Sequence, residues 1–478
     1  MGKGSLVEAV IIEDSLLFSN TDDLTDEARR ALGRIRHWKV RLGVASTSLR
    51  STTIVQSALA CYSFDFCSLD SAISKENSSV SNALVYVVSK ASFGPPSFLT
   101  NLAKSTIIFL DPSADDAFDI SNASQNIFTI ISLDQLPLAV CVINSQVLES
   151  KTIKVGYSMK PSREEDFAKR GAFPISPTPN GLIFFPLSFR QPLPPQLKFA
   201  DVVLHKATDE IVSIEHGDST RVTFSSGIQA LQKELSHMSS CVIVDPIQII
   251  YPVLDRLKIQ HVLASLQEQQ SRPIIRGPFF LKVKNFDQPD LPQLLSKSNV
   301  SFPCIVKPQV ACGVDDAHSM ALVFHSKDFC GLTVPLPGII QEYVDHSSTL
   351  YKIYSIGGKI FHSVKSSIPN SDVLMTFYEK NGSKPLLFHS LKSLPVDMDA
   401  DEQLKRSSLN LTLVNDAAYW LSARLHLTIF GFDVVIDKHS GDHVIVDVNY
   451  LPSFKELENH VALPSFWAAI RGKFDADM

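Results

Sequence analysis

At 478 residues, with 45% hydrophobic and 20% charged residues, the chain is too long for one compact domain and too apolar to be disordered, so about three soluble domains are expected. A net charge of −6 argues against a general nucleic-acid binder, and any polyanionic substrate must find a local basic pocket. No apolar run reaches the roughly 18 residues of a membrane span, and MGKGSLVEAVIIEDSLLFS carries acids where a signal sequence stays apolar; an intracellular monomer, cytoplasmic or also nuclear, with neither nucleic acid nor membrane as partner, is expected.

Gly2 is a formal start for myristoylation, but Leu6 stands where Ser or Thr is required. Residues 1–148 read as a self-contained α/β unit. Val7 to Ile12 predicts a buried strand, Thr25 to Trp38 a charged helix and Val40 to Ala45 a second strand; the apolar runs at Ala83 to Val88, Thr106 to Leu110 and Ala139 to Asn144 repeat the strand pattern. Strands alternating with helices predict a parallel sheet. The arrangement resembles the haloacid-dehalogenase-like fold, whose first strand ends in Asp-x-Asp-Gly-Thr-Leu and whose second ends in Ser or Thr. Here the first reads Ile11-Ile12-Glu13-Asp14-Ser15-Leu16, with Ile11 where the nucleophilic aspartate would stand, and the second offers Ser46 or Thr47. Without its nucleophile such a domain cannot form an aspartyl-phosphate, so a degenerate, non-catalytic domain is expected, with an unrelated Rossmann-like domain as the alternative.

A boundary is expected at Glu149-Ser150-Lys151. TIKVGY (Thr152 to Tyr157) then reads as a strand, followed by Lys160, Arg163, Lys169 and Arg170; Pro174 to Pro195, crowded with prolines and aromatics, reads as a loop against a core. Asp201 to Lys206 and Cys241 to Val244 read as strands. Ligands sit at the strand ends of parallel sheets, which makes Arg163 and Lys206 phosphate-binding candidates, with solvated surface cations as the plain alternative.

From Asp255 the chain turns helical (DRLKIQHVLASLQEQQ), then returns to a strand at Pro303 to Lys307. Lys307 ends that apolar strand, where an ammonium meets a nucleotide phosphate. Cys312-Gly313 opens a polar loop ending in His318, and a Gly-containing loop lets backbone N–H groups approach a phosphate. GIIQEY (Gly338 to Tyr343) is a buried strand offering backbone groups at Gln341 to Tyr343 to an adenine edge. Leu350 to Ile356 and Lys359 to Lys365 alternate around Gly357-Gly358, a hairpin with Lys352 and Lys365 at its inner face or rim. A last hairpin joins Phe432 to Asp437 and Val444 to Tyr450 through Lys438-His439-Ser440-Gly441-Asp442. Alternation puts Asp447 and Asn449 on one face and brings Asp433 opposite Asp447 or Asn449. Oxygen ligands on rigid strands suit Mg²⁺; ordinary polar positions on an exposed face are the plain alternative. The seven cysteines, Cys61, Cys67, Cys141, Cys241, Cys304, Cys312 and Cys330, are odd in number and without a Cys-x-x-Cys pair, which predicts reduced, mostly buried thiols.

Taken together, VGY at 155–157, DVVLHK at 201–206, VDP at 244–246, IVKPQVACG with His318, QEYVDH with the following Tyr351-Lys352, and FGFDVVID with VDVNYLPS resemble the inositol 1,3,4-trisphosphate 5/6-kinases, also called inositol tetrakisphosphate 1-kinases, over about Lys154 to Ala469. The long N-terminal extension resembles an outlier plant branch of that family. The resemblance implies an α/β fold: an ATP-grasp kinase preceded by the Rossmann-like, haloacid-dehalogenase-like domain. Residues 151–250 would then be the N-terminal inositol-phosphate-binding part, and 251–478 the central and C-terminal parts with the nucleotide and metal site. It implies ATP and two Mg²⁺ ions as cofactors, inositol polyphosphates as substrate and product, and a place in phytate synthesis. By position, Asp433, Asp447 and Asn449 would be the magnesium ligands, and Lys307 the ATP-phosphate lysine. Gln341, Glu342 and Tyr343 would be the adenine hinge, with Lys365 and Ser367 near the nucleotide phosphates. Arg163, Lys206, His318 and Lys352 would bind inositol phosphate, with Asn449 and Ser453 on the substrate side; Lys352 and His318 are the catalytic candidates. The chain departs from the pattern at Tyr251, often an ATP-contacting arginine for which Arg256 or Lys258 would compensate. It departs again at Cys312, which replaces His or Asp, and at Ser453, which replaces the Gly of Asn-x-x-Pro-Gly. Two other readings stay open: a carboxylate–amine ligase of the same fold, and a non-catalytic ATP-binding scaffold.

Overall fold

The computed structural model describes residues 6–46, 52–68, 84–92, 105–114, 126–148, 152–215, 221–238, 240–267, 274–390, 392 and 408–478. The chain forms two compact units, Met1–His205 with Ala230–Ile243, and Lys206–Gln229 with Val244–Met478. Expected features at Thr47 and at Glu149-Ser150-Lys151 lie outside the described residues.

In the first unit, β1 (Ala9–Glu13), β2 (Arg41–Ser46), β3 (Asp65–Ser68), β4 (Leu84–Ser89), β5 (Thr106–Leu110) and β6 (Ile127–Ile130) make a six-stranded parallel sheet in the order β3-β2-β1-β4-β5-β6. Charge does not prevent helix Asp26–Ile35, because its apolar stripe Ala28, Ala31, Leu32 and Ile35 is buried and the Thr25 side chain accepts from the Ala28 N–H. Ile11 lies inside β1, paired with Gly43 and Tyr86; the strand runs two residues further, and its last side chain is Glu13. The motif aligned on Ile11 to Leu16 thus begins inside the strand, and Glu13 is the residue at the strand's end. Glu13 is buried and accepts from the Ser89 N–H at 2.8 Å.

Ala139 to Asn144 is not a strand but part of helix Leu136–Val147. Every residue from Leu136 to Asn144 is buried, so the helix shows no polar face and its sequence no 3.6-residue period. Pro137 in its first turn fixes the entry. Asn144 closes this packing: its Oδ1 accepts from the Val7 N–H and its Nδ2 donates to the Ile175 carbonyl, both at 2.8 Å.

The stretch Pro174 to Pro195 is also more ordered than a loop. It contains β8 (Leu182–Pro186), buried throughout, which pairs in parallel with β7 (Ile153–Ser158). Helix Leu193–Phe199 follows, its prolines confined to the cap and first turn, where no amide donor is needed. With β9 (Val202–His205) and β12 (Val242–Val244) the sheet order is β12-β9-β7-β8.

The second unit begins with the hairpin of β10 (Ile211–Ile214) and β11 (Val222–Phe224). One antiparallel sheet runs β14-β17-β15-β16-β20, from β14 (Phe280–Val283), β15 (Cys304–Pro308), β16 (Ser319–Val323), β17 (Gly338–Glu342) and β20 (Leu386–His389). The other runs β13-β22-β21-β18-β19, from β13 (Ile275–Arg276), β18 (Thr349–Ile356), β19 (Lys359–Ser366), β21 (Ile429–Ile436) and β22 (His443–Tyr450). Strand alternation splits β15 cleanly. Cys304 and Val306 pack into one core with Val283 and Ile340, while Ile305 packs into another with Leu322 and Phe324. Lys307 is in step with Ile305.

The β18–β19 turn uses Gly357 at φ +58° and Gly358 at φ +81°. A Cβ on Gly357 would lie 2.7 Å from the Ala469 Cα, in helix Asn459–Asp477. Gly357→Ala should therefore lower stability by about 1–3 kcal/mol, from backbone strain and this clash together. Chemical denaturation against Gly358→Ala, where nothing stands within 4 Å, separates the two.

Cys61, Cys141, Cys241, Cys304, Cys312 and Cys330 are free thiols, but of these only Cys141 and Cys304 are fully buried; Cys241 and Cys312 are half-buried, and Cys61 and Cys330 exposed. The expectation of mostly buried thiols fails because a small side chain on a loop or helix surface is not driven inward unless its element's apolar face carries it there.

Candidate active site

The last hairpin forms as the alternation predicts, and Asp433 faces Asp447 directly across β21 and β22. Lys352 of β18 stands opposite Asp433 on the other side, and Ser363 of β19 opposite Lys352. One row of side chains thus crosses four strands: Asp447, Asp433, Lys352, Ser363. Residues in register across antiparallel strands share a face, so the two carboxylates and the ammonium are held together by backbone pairing alone.

The ladder then slips. Val434 pairs with Ile445, leaving Val446 as an extra residue on β22. Such a bulge bends the strand and takes one residue out of the ladder. The Val446 carbonyl is the acceptor of the Lys307 ammonium, at 3.4 Å.

A cavity of about 360 Å³ is lined by Asp447, Asp433 and Lys352 of this row and by residues of the sheet that holds β15 and β17. It brings together Lys307, His318, Gln341, Glu342, Tyr343, Lys352, Ser367, Asp433, Asp447 and Asn449 from the predicted set, with apolar walls from Ile305, Met320, Val344, Leu350, Phe388 and Val446. A cavity lined by both apolar and charged side chains suits a purine with phosphates.

Burial, and then the neighbouring Arg256, push the Lys307 ammonium down to about 8, against the pull of Asp447 and Asp433. Among the described residues it makes no ion pair. Burial raises Asp433 to about 7; Lys352 opposes this and Asp447 adds to it. Asp433, Asp447 and Asn449 supply hard oxygen donors, and the Asn449 amide is oriented by donating to Asp447 Oδ2 at 3.1 Å. Among the described residues no three His, Cys, Asp or Glu side chains form a complete metal cage. The set fits Mg²⁺, which needs few protein ligands because it keeps waters and takes substrate phosphates.

Arg256 is what sequence reading underweighted. Its guanidinium donates to the carbonyls of Pro308 and Val310 at 2.7 Å, Ala317 at 3.1 Å and Ala311 at 3.3 Å, tying the two ends of the loop around Gly313 to the start of helix Arg256–Gln267. Its charge faces the cavity while these donors are spent on the loop; Lys258 does not line the cavity. Gly313 sits at φ +89°, and a Cβ there would strike Ile211 of β10. His318, at the loop's end, has its Nδ1 2.9 Å from Ser390 Oγ, and burial with Arg256 lowers its pKa.

The hinge is more committed than expected. The Glu342 amide donates to Phe279 at 2.9 Å, and its carboxylate is held by Arg276 and by the Phe279 N–H at 2.8 Å. The Tyr343 hydroxyl donates to the Pro369 carbonyl.

Lys365, Lys206 and Ser453 are not among the cavity's lining residues. Lys365 is paired with Glu456 at 2.6 Å, a partner too distant in sequence to foresee. Lys206 is buried, donates to the Tyr450 carbonyl, and acts electrostatically on the Cys312 thiol. Arg163 lies in the first unit, on helix Pro161–Lys169.

Comparison with known proteins adds the following. Residues 269–467 match the family model described as the inositol 1,3,4-trisphosphate 5/6-kinase ATP-grasp domain, and residues 1–146 the one described as "ITPK4, N-terminal HAD-like domain". The chain is 49% identical over 346 residues to inositol-tetrakisphosphate 1-kinase 6 of rice (Oryza sativa subsp. indica), covering 70% of this chain and 62% of that protein. It therefore spans less than two thirds of that relative. Identity to inositol-tetrakisphosphate 1-kinase of Danio rerio is 27% over 285 residues, covering 58% of this chain and 68% of the other. Among solved structures, the VanG D-Ala:D-Ser ligase of Enterococcus faecalis aligns with TM-score 0.40 at 11% identity, over 68% of this chain and all of that one.

Proposed function

The chain belongs to the inositol 1,3,4-trisphosphate 5/6-kinase family, and on that premise we propose that it transfers the γ-phosphate of ATP to a ring hydroxyl of an inositol tris- or tetrakisphosphate. The observation that carries this reading is the row Asp447, Asp433, Lys352 in one cavity with Lys307. Acids at one end hold cations and lysines beside them hold phosphates. A carboxylate–amine ligase or a scaffold explains the acids and Lys307 equally well, but not Lys352 and His318 added to them.

Phosphoryl transfer needs positioning and charge neutralisation more than covalent chemistry. Lys307, at the end of β15, steadies the ATP phosphates, with Ser367 beside them in the same cavity and the adenine against the Gln341–Tyr343 segment and apolar residues. Asp433, Asp447 and Asn449 would hold Mg²⁺, two ions on this reading, which would supply charge neutralisation at the transferring group. Lys352 and His318 hold substrate phosphates on the acceptor side, joined by Lys206. The ring oxygen forms its bond to the γ-phosphorus as the bridging bond to ADP breaks, and the hydroxyl proton is released. The protein is read as a monomer of the cytoplasm or nucleus, working toward phytate; among the described residues no helix is long and apolar enough to cross a membrane.

The test is transfer from labelled Mg-ATP to a panel of inositol tris- and tetrakisphosphates with the product isomers resolved. A labelled product with one more phosphate is expected. ATP binding without product on any isomer would overturn the reading, and ADP release only with a carboxylate and an amine present would replace it by the ligase.

A further inference from the structure

The loop between β15 and β16, which carries Cys312 and His318, borders two cavities. Ala311, Cys312 and His318 line the cavity described above, while Val310, Val314 and Ala317 line a second one of about 210 Å³ together with Val212 and Ile214 of β10. A segment with open space beside so much of it gains few packing contacts, so hydrogen bonds must fix its course. All of these residues, with Arg256, belong to the second compact unit.

Those bonds converge on the start of helix Arg256–Gln267. The Arg256 N–H donates to the Gln309 carbonyl at 2.8 Å, the Ala311 N–H to the Leu254 carbonyl at 2.8 Å, and Gln309 Nε2 to Asp255 Oδ2 at 3.0 Å, which pins the first limb of the loop. The Arg256 guanidinium then joins that limb to the second. Its Nη1 holds the carbonyls of Pro308 and Val310, and its Nη2 those of Ala311 and Ala317, the last being the residue before His318. Each Nη carries two hydrogens, so two carbonyls apiece use them all and leave no fork for a phosphate. Arg256 is buried, and these carbonyls are what satisfies its charge. On the far side of the ring, the Ser390 N–H donates to the His318 carbonyl at 3.0 Å.

We propose that Arg256 is a positioning residue for the acceptor side of the cavity: by closing the loop from Pro308 to Ala317 it sets where Cys312 and His318 stand. A planar guanidinium fixes the directions of its acceptors as well as their distances, whereas an ammonium presents its donors from a single point and cannot hold two limbs of a loop at once. The Arg256 charge also bears on Lys307, but the loop is reached only through the fork. Arg256 thus holds protein and not ATP, and does not stand in for the nucleotide-contacting arginine that Tyr251 replaces. This deepens the kinase reading and rests on it, and on His318 as a contact of the inositol phosphate.

The experiment uses the full chain and steady-state kinetics with Mg-ATP and the inositol phosphate that the wild type accepts, with amide hydrogen exchange alongside. Arg256→Lys should raise KM for the inositol phosphate about 10-fold to 10²-fold while KM for ATP changes less than about threefold, since misplacement of a binding group acts on its own ligand. Hydrogen exchange of residues 311–318 should quicken in the same variant. Gly313→Ala displaces the same loop without touching Arg256, because Gly313 has φ +89° and a Cβ there would lie 2.8 Å from Ile211 Cβ. It should show the same split between the two KM values, and it decides the matter if Arg256→Lys does not fold. A rise confined to the ATP KM would make Arg256 a nucleotide contact. That result, equal rises in both KM values, an unchanged inositol phosphate KM in folded Arg256→Lys, or no split in Gly313→Ala would each overturn the inference and leave the kinase reading standing. A wild type that phosphorylates no inositol phosphate overturns the kinase reading, and this inference with it.

Discussion

Asp447→Asn is expected to abolish phosphate transfer, by roughly 10²–10³-fold or more, while the fold survives. Asn keeps the shape of Asp and can still accept the Asn449 amide bond, so packing is preserved. What goes is one of the two charges that face each other across β21 and β22. Without it the donor set is one carboxylate and two amides, and Asp433, already raised to about 7 by burial, Lys352 opposing and Asp447 adding, loses the repulsive neighbour. Asp433 should then titrate lower. The apo protein should be no less stable than wild type, because a like-charge contact has been relieved. The measurement is product formation at saturating Mg-ATP, with thermal unfolding of the apo protein alongside. Retained turnover would remove Asp447 from the cation site; lost turnover with a collapsed melting transition would mean that the residue is structural.

That the carboxylate pair was legible in the sequence follows from the period of a strand. Two residues per repeat fix the face, and the turn Lys438 to Asp442 fixes the register, so Asp433 against Asp447 needed no tertiary information. The neighbouring bulge was not legible, since an extra residue at Val446 leaves the alternation readable on either side of it. For Arg256 the sequence offers only a choice with Lys258 to stand in for the arginine that Tyr251 replaces, because its acceptors are carbonyls 52 to 61 positions away, which no side-chain pattern reveals. Lys365 failed in the opposite direction. Its hairpin position was right, but Glu456 occupies its ammonium. Helix Leu136–Val147 and β8 show the same limit in the fold, because an element buried on all sides carries no periodic signal and only its flanking residues can type it.

Lys307→Met is expected to stabilise the apo protein while destroying its use of ATP. The Lys307 side chain is buried and makes no ion pair among the described residues, and its ammonium is pushed from 10.5 to about 8 by burial and then by Arg256. Keeping it charged therefore costs folding about 3 kcal/mol. Methionine fills the same channel with a flexible apolar chain and removes that cost, so the unfolding midpoint should rise by about 2–5 °C. The pH dependence has a definite sign. The folded pKa is lowered, so the penalty is fully present below about 8 and is relieved as pH climbs towards 10.5, where the unfolded chain also loses its proton. The stability gap between variant and wild type should thus be widest at neutral pH and close above pH 8. ATP binding should weaken roughly 10²-fold, because the polyanion is the partner for which the charge is stored. Titrating wild type and variant with Mg-ATP at pH 7, and melting both across pH 7 to 10, reads both effects. A variant less stable than wild type, or one that binds ATP as tightly, would show that Lys307 serves the fold and not the nucleotide.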